Sequence, residues 1–151
     1  MHSPAQPETV RIRAAREFDA PRIAELSGQL GYPASPEDIL RRMRGLAPAA
    51  NHALLVAETP AGEVVGWLHV SVNPLVDSDV RAEINGLVVA EGQRSRGAGR
   101  LLLEEAERWA RGRGCRTVSL RSNVIRERAH RFYERLGYEH YKTQKAFRKT
   151  L

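Results

Sequence analysis

Leu87-Val88-Val89-Ala90-Glu91-Gly92-Gln93-Arg94-Ser95-Arg96-Gly97-Ala98-Gly99-Arg100 reads as the end of a strand, a glycine-containing turn and the first turn of a helix. The helix is signalled from Gly97 to about Arg113, with Leu102, Ala106, Trp109 and Ala110 on one face and Glu104, Glu107, Arg108 and Arg111 outside it. Gly112 and Gly114 stop it. A helix start carries amide N–H groups without intrahelical partners and the positive end of the helix dipole, so such a turn can hold a pyrophosphate with no lysine. Gly97 and Gly99 remove side chains where a ligand would touch backbone, and Arg94, Arg96 and Arg100 add charge beside it.

Phosphate-holding motifs of other kinds do not fit. A Walker A loop needs Gly-Lys-Ser/Thr at the helix start, and this chain offers Gly99-Arg100-Leu101. A dinucleotide fingerprint needs a small residue three positions after its second glycine, where Leu102 stands. What remains is Arg94-x-x-Gly97-x-Gly99, a pattern that an ordinary helix start with solvated arginines also satisfies.

Upstream, Arg81 to Val89 is a strand-like run, and Asn73 to Val80 is a polar loop with Pro74, Asp77 and Asp79. His52 to Glu58 and Glu63 to Val72 are two more strands, joined by Thr59-Pro60-Ala61-Gly62, which predicts an antiparallel hairpin. Thr9 to Ala14 alternates, with Val10, Ile12 and Ala14 against Arg11 and Arg13. Asp19 is placed to cap a helix with Pro21 in its first turn and an Ile23, Leu26, Leu30 stripe, ended by Gly31-Tyr32-Pro33. Ser35 followed by Asp38 opens a second helix that turns Ile39, Leu40 and Met43 inward. Downstream, Arg116 to Arg121 is a strand, and Ile125, Ala129, Phe132 and Leu136 mark the buried face of a last helix ended by Gly137. Tyr138 to Lys149 has room for a final strand. The order β-α-α-β-β-β-α-β-α-β predicts a mixed α/β sheet flanked by helices.

No repeat or linker divides the 151 residues, which predict a single domain over 9–151 after a loose polar tail at 1–8. The tail lacks the apolar centre of a secretory signal, and no apolar run approaches the ~20 residues of a membrane span. Cys115 is the only cysteine, which excludes an intrachain disulfide and a cysteine-based metal site, and the five histidines show no metal-ligand spacing. These features predict a cytoplasmic protein with no metal and no membrane partner. Residues 1–75 carry seven Arg against eight acids, whereas 76–151 carry 17 Lys+Arg against 10, so an anionic ligand should meet the second half. Exposed aromatics interleaved with these cations, which a nucleic-acid surface would show, are missing, and no nucleic-acid partner is expected.

The stretch resembles the acetyl-CoA motif of the GNAT acetyltransferase superfamily. Leu87-Val88-Val89 matches the family's Leu-x-Val strand, and Asn123, Ala129, Phe132-Tyr133 and Leu136-Gly137-Tyr138 match the pattern expected further on. The resemblance is specific from Glu83 to Tyr138, and over residues 9–82 it rests on element order. It implies the family's largely antiparallel central sheet and an N-acetyltransferase that uses acetyl-CoA. It also implies a splayed strand at Leu87 to Val89, whose backbone faces the pantetheine arm and polarises the thioester carbonyl. Arg94, Ser95, Arg96, Gly97, Ala98, Gly99 and Arg100 would then hold the pyrophosphate, with Asn123, Ala129 and Phe132 completing the cofactor site. Homodimers are frequent in the family, with residues 138–151 as the place to look.

Amine acetylation needs a bound thioester, a neutral amine, a stabilised oxyanion and a proton for the leaving thiolate. An alkylamine with a pKa near ~10.4 is protonated at neutral pH, so a base must act directly or through water. Glu83, opening the strand before the loop, is the candidate base, and a solvated strand-start glutamate is its plain alternative. Gly86 in the same strand marks a bulge or a close approach. Tyr133 is the candidate acid, on the flank of the last helix beside Phe132. For the acceptor, the family's first two helices and the loop before Arg81 place Tyr32, Asp77 and Asp79 on the substrate side, where the acidic pair would attract a cationic small molecule. Acetylation of a protein N-terminus or lysine, and acyl-CoA sensing without turnover, are the alternatives.

Overall fold

The computed structural model describes residues 9–29, 31–46, 51–93, 97–122 and 124–151. The tail expected over residues 1–8 lies outside them, as do Leu30, Arg94, Ser95, Arg96 and Asn123.

The architecture starts from one turn. Gly62 takes φ +87°, a left-handed conformation that glycine reaches at little cost, and donates its N–H to the Thr59 carbonyl at 2.9 Å. The Thr59 N–H donates to the Glu63 carbonyl and the Glu63 N–H to the Thr59 hydroxyl, locking the hairpin of β2 (His52–Glu58) and β3 (Val64–Asn73). Strand β1 (Arg11–Ala14) pairs antiparallel with β2, and β4 (Arg81–Val89) pairs antiparallel with β3. Strand β5 (Val118–Leu120) runs parallel to β4, and helix α3 (Ala98–Gly112) supplies the crossover that a parallel neighbour requires. The sheet order is β1-β2-β3-β4-β5, the mixed and largely antiparallel arrangement expected.

Register decides which side chains share a face. Leu55 lies opposite Leu68, Val70 opposite Ile84 and Val72 opposite Ala82, so one face is apolar along its length. Helix α3 covers this face with Leu102, Leu103, Ala106 and Ala110, all buried. At Gly66 a Cβ would come within 3.3 Å of Leu102 Cδ1, so the missing side chain lets α3 approach β3. Each large aliphatic side chain buried this way contributes about 1.5–3 kcal/mol. The opposite face is apolar at one end, where Val56 meets Trp67 and Trp67 meets Val88. At its other end it is polar, with His52 opposite Ser71, Ser71 opposite Glu83, and Glu83 opposite Ser119.

A 3-10 turn (Glu17–Asp19) leads into α1 (Ala20–Gln29), which buries Ile23 and Leu26 as its stripe predicts. In α2 (Pro36–Leu46) the Ser35 hydroxyl accepts the Asp38 N–H at 3.0 Å, the expected cap, while Ile39, Leu40 and Met43 are half-buried. Three expectations need correction. Asp19 is not the first cap of α1: as the third residue of the 3-10 turn its carboxylate accepts the Arg16 N–H, half of a capping box, and also holds the Arg13 guanidinium in a buried ion pair. That pair draws Arg13 inward and leaves Ala14 exposed, reversing the simple alternation of β1. Strand β5 spans three residues, since its ladder with β4 extends only from Val118 to Leu120.

Residues 121–151 form a separate unit with helix α4 (Glu127–Arg135). Gly137, at φ +92°, ends it as expected, and the Tyr138 N–H closes back on the Tyr133 carbonyl at 3.0 Å. Ile125 precedes the helix and is 80% exposed, so it does not belong to the apolar face read for it. The final strand expected at Tyr138 to Lys149 is not formed: residues 138–151 carry no regular structure. A strand exists only through a ladder partner, and this largely polar stretch of Glu139, Lys142, Gln144, Lys145, Arg148 and Lys149 has none among the described residues.

Candidate active site

Strand β4 carries the candidate base at one end and the Leu-Val-Val run at the other, and a bulge lies between them. Val70 pairs with Ile84 while its neighbour His69 pairs with Gly86, which leaves Asn85 as an extra residue on β4. Its amide Nδ2 donates to the Ser71 hydroxyl at 2.8 Å, and Ser71 is only 2% exposed. Gly86 therefore sits beside a bulge, and its missing side chain admits the Trp67 ring: a Cβ there would stand 2.6 Å from the indole. Gly86→Val is expected to destabilise the protein by about 1–3 kcal/mol, because a rigid indole must move, and urea denaturation reads it.

The β5 ladder stops opposite Ile84. From Asn85 to Val89, β4 pairs on its β3 side, and its other edge has no strand partner among the described residues. Along Leu87 to Val89, where the sequence resemblance implies a splayed strand, the residues that do not bond to β3 face this open edge. The chain then turns through Ala90, whose N–H donates to Val65 O at 2.8 Å, toward α3. Gly97 takes φ +80° at the helix start, a conformation that side chains disfavour. Ala98 and Gly99 are buried in the first turn of α3. Arg100 is exposed and pairs with Glu104 at 2.9 Å, so part of its charge is already engaged. Arg94, Ser95 and Arg96 lie outside the described residues.

Glu83 is half-buried, in line with Ser71 and Ser119 on its two neighbouring strands. His52 and His69 occupy the same end of that face, with ring nitrogens 2.9 Å apart. Neither histidine was singled out by sequence pattern, because their meeting follows from hairpin register. Counting outward from the Thr59–Gly62 turn was the signal available. The loop residues Asp77 and Asp79 are exposed, and so is Tyr32. Among the described residues no group of three His, Cys, Asp or Glu side chains converges as a metal site would. No helix among them is long and apolar enough to cross a membrane.

In the unit 121–151, Ala129, Phe132 and Tyr133 lie half-buried on α4. The Tyr133 ring meets Phe132 edge-on at 5.3 Å and Tyr138 at 6.0 Å. Burial raises its phenol above the ordinary value, against a smaller opposing pull from Arg126, so it keeps its proton at neutral pH. Asn123 lies outside the described residues.

The open edge of β4 thus runs into a glycine-led helix start. Residues 16–138 match the Acetyltransferase (GNAT) family, and the chain belongs to it. The chain is 30% identical over 102 residues to the aminoglycoside N(6')-acetyltransferase type 1 of Klebsiella aerogenes, covering 66% of this chain and 67% of that protein. It is 34% identical over 125 residues to the aminoalkylphosphonate N-acetyltransferase of Salmonella typhimurium, covering 80% and 77%. Among solved structures, aminoglycoside N-acetyltransferase AAC(6')-Iy in complex with CoA superposes with a TM-score of 0.84 at 20% identity, covering 97% of this chain and 99% of that one. The chain is thus a GNAT acetyltransferase.

Proposed function

We propose that this enzyme takes the acetyl group from acetyl-CoA and passes it, by direct attack in a ternary complex, to a primary amine of a cationic small molecule. The open edge of β4 leading into α3 carries the reading. Backbone groups of Leu87 to Val89 bind the pantetheine arm and polarise the carbonyl, and the amides at the start of α3, with the Arg94 to Arg100 segment, hold the pyrophosphate. Asn123, Ala129 and Phe132 complete the cofactor site in this reading. Glu83 draws a proton from the acceptor's ammonium, directly or through water. The amine nitrogen forms its bond to the acetyl carbon, the C–S bond breaks, and Tyr133 supplies the thiolate with a proton. The two relatives named above act on small molecules by their names, and Asp77 and Asp79 give the exposed loop the charge to attract a cation. In the same reading Tyr32 borders the acceptor, the protein works in the cytoplasm, and residues 138–151 are where a second copy would meet it.

Thermal melting with acetyl-CoA at 100 Kd should show about 2.7 kcal/mol of added stability. Thiol release across aminoglycosides, aminoalkylphosphonates, polyamines and amino-terminal peptides then reads the acceptor. Asp77→Asn/Asp79→Asn is expected to raise KM for polycationic amines and to leave neutral ones unchanged. Stabilisation by acetyl-CoA without thiol release for any amine would make the protein a sensor, and unaltered KM values would remove the loop from substrate choice.

A further inference from the structure

The polar end of the sheet holds more proton chemistry than one carboxylate. We propose that the proton drawn from the acceptor's ammonium passes through Glu83 and ends on the His52–His69 pair, which releases it to solvent. The proposal rests on the acetyl-transfer reading above and adds to it the group that finally takes the proton.

The geometry is that of a two-ring wire. His52 Nδ1 and His69 Nε2 stand 2.9 Å apart, and the rings are stacked with centroids 5.2 Å apart and planes inclined by 25°. That separation is an N–H···N hydrogen bond, so one inner nitrogen carries the proton and the other accepts it. The outer nitrogens, His52 Nε2 and His69 Nδ1, have no protein partner among the described residues. Both histidines are half-buried, so neither ring is wholly closed off from solvent. Either tautomer of the pair therefore presents one outer nitrogen that accepts and one that donates. A proton taken at the first end shifts the inner hydrogen and frees a proton at the second.

Position ties the wire to Glu83. His52 is directly opposite Ser71, and Ser71 directly opposite Glu83. Residues so paired share a face, and His69 lies one pair further along it, across the Asn85 bulge; in the proposal a bridging water joins the Glu83 carboxylate to the rings. The charged groups on bordering strands are Arg81 and Glu83 of β4 and Arg11 and Arg13 of β1, Arg13 being engaged with Asp19 and Glu58. No helix side chain among the described residues bonds either ring. Chemistry favours the pair as the terminus. An imidazole can take a proton at one nitrogen while releasing one at the other, which a carboxylate cannot do along a relay. Burial first, and the neighbouring His52 second, hold the His69 imidazole below its ordinary value, which keeps it unprotonated at neutral pH.

The step balances. The ammonium gives one proton to the pair, which passes it to water; Tyr133 gives its phenol proton to the thiolate, and the amine's second N–H proton, lost as the amide forms, returns through solvent to the Tyr133 phenolate. The test is the pH profile of kcat/KM for His52→Gln, His69→Gln and the double variant, using acetyl-CoA and an amine that the wild type acetylates. The wild type should rise through a group below the ordinary imidazole pKa and level off. The single variants should fall by about 10²–10⁴-fold at pH 7, rise with unit slope toward the amine's own pKa, and approach the wild type there. Added imidazole should restore part of the loss at pH 7. The double variant should be no worse than either single one, because a wire is broken at any point.

Variants that keep the wild-type profile, or fall equally at every pH, overturn the proposal. The melting shift with acetyl-CoA, measured on each variant, shows whether it still folds and binds. His69→Asn at the same position repeats the test if His69→Gln fails to fold. A wild type that acetylates no amine overturns the functional reading itself, with this proposal, and needs no variant to reveal it.

Discussion

Arg13→Met is expected to lower the stability of the protein by about 3–5 kcal/mol, a large share of the roughly 5–15 kcal/mol that holds a domain folded. Arg13 donates to both carboxylate oxygens of Asp19, at 2.8 and 2.9 Å, and its Nε donates to Glu58. Asp19 is 3% exposed and accepts the Arg16 N–H as well. Methionine matches the stem in volume but leaves Asp19 buried without the guanidinium that holds both its oxygens. The penalty is the stranded carboxylate, so Arg13→Met/Asp19→Asn should recover part of the loss, and urea midpoints of the two variants measure it. The pH dependence has a definite sign. Burial by itself would raise the Asp19 carboxyl, but the hydrogen bonds from Arg13 and the Arg16 N–H outweigh it and hold the group below its usual range. A lowered carboxyl stabilises fully above its unfolded value of about 3.9 and loses that contribution as pH falls through the folded value. In Arg13→Met the burial remains without the guanidinium, so the loss should begin at higher pH.

Tyr133→Phe is expected to reduce kcat by about 10²–10⁴-fold while leaving the acetyl-CoA melting shift in place. This follows from the proposed role of its hydroxyl as proton donor to the departing thiolate. The buried phenol, raised above its ordinary value near 10, stays a donor throughout the neutral range, and activity should fall only where it ionises. An acyl donor with a more acidic thiol needs less help in leaving, so the deficit of the variant should shrink with it. A deficit that is the same for every leaving group would assign Tyr133 to packing against Phe132 and Tyr138.

Much of this arrangement is legible in the chain itself. The period-two runs and the Thr59–Gly62 turn mark β2 at His52–Glu58, and Arg81–Val89 is β4 with the bounds its pattern indicates. The apolar stripe of α3 sets its limits to within a residue. What pattern does not carry is pairing between distant strands. The stacked histidines, the Asn85–Ser71 bond and the line from His52 to Glu83 arise from register, which no single segment encodes. Arg13 misled for a related reason, because a charge at a nominally outward position turns in when a buried carboxylate waits for it. Tyr138 to Lys149 misled because room for a strand is not a partner for one.

The extra residue on β4 has a consequence for how the strand is counted. Ala82 and Ile84 before it, and Leu87 and Val89 after it, belong to one side, so even positions give way to odd ones at Asn85. A chain without Asn85 would keep the same partners on both flanks, which makes the residue surplus to the ladder. What it supplies is curvature: the strand bends between its Glu83 half and its Leu87–Val89 half, and each half can be aimed without turning the other inside out.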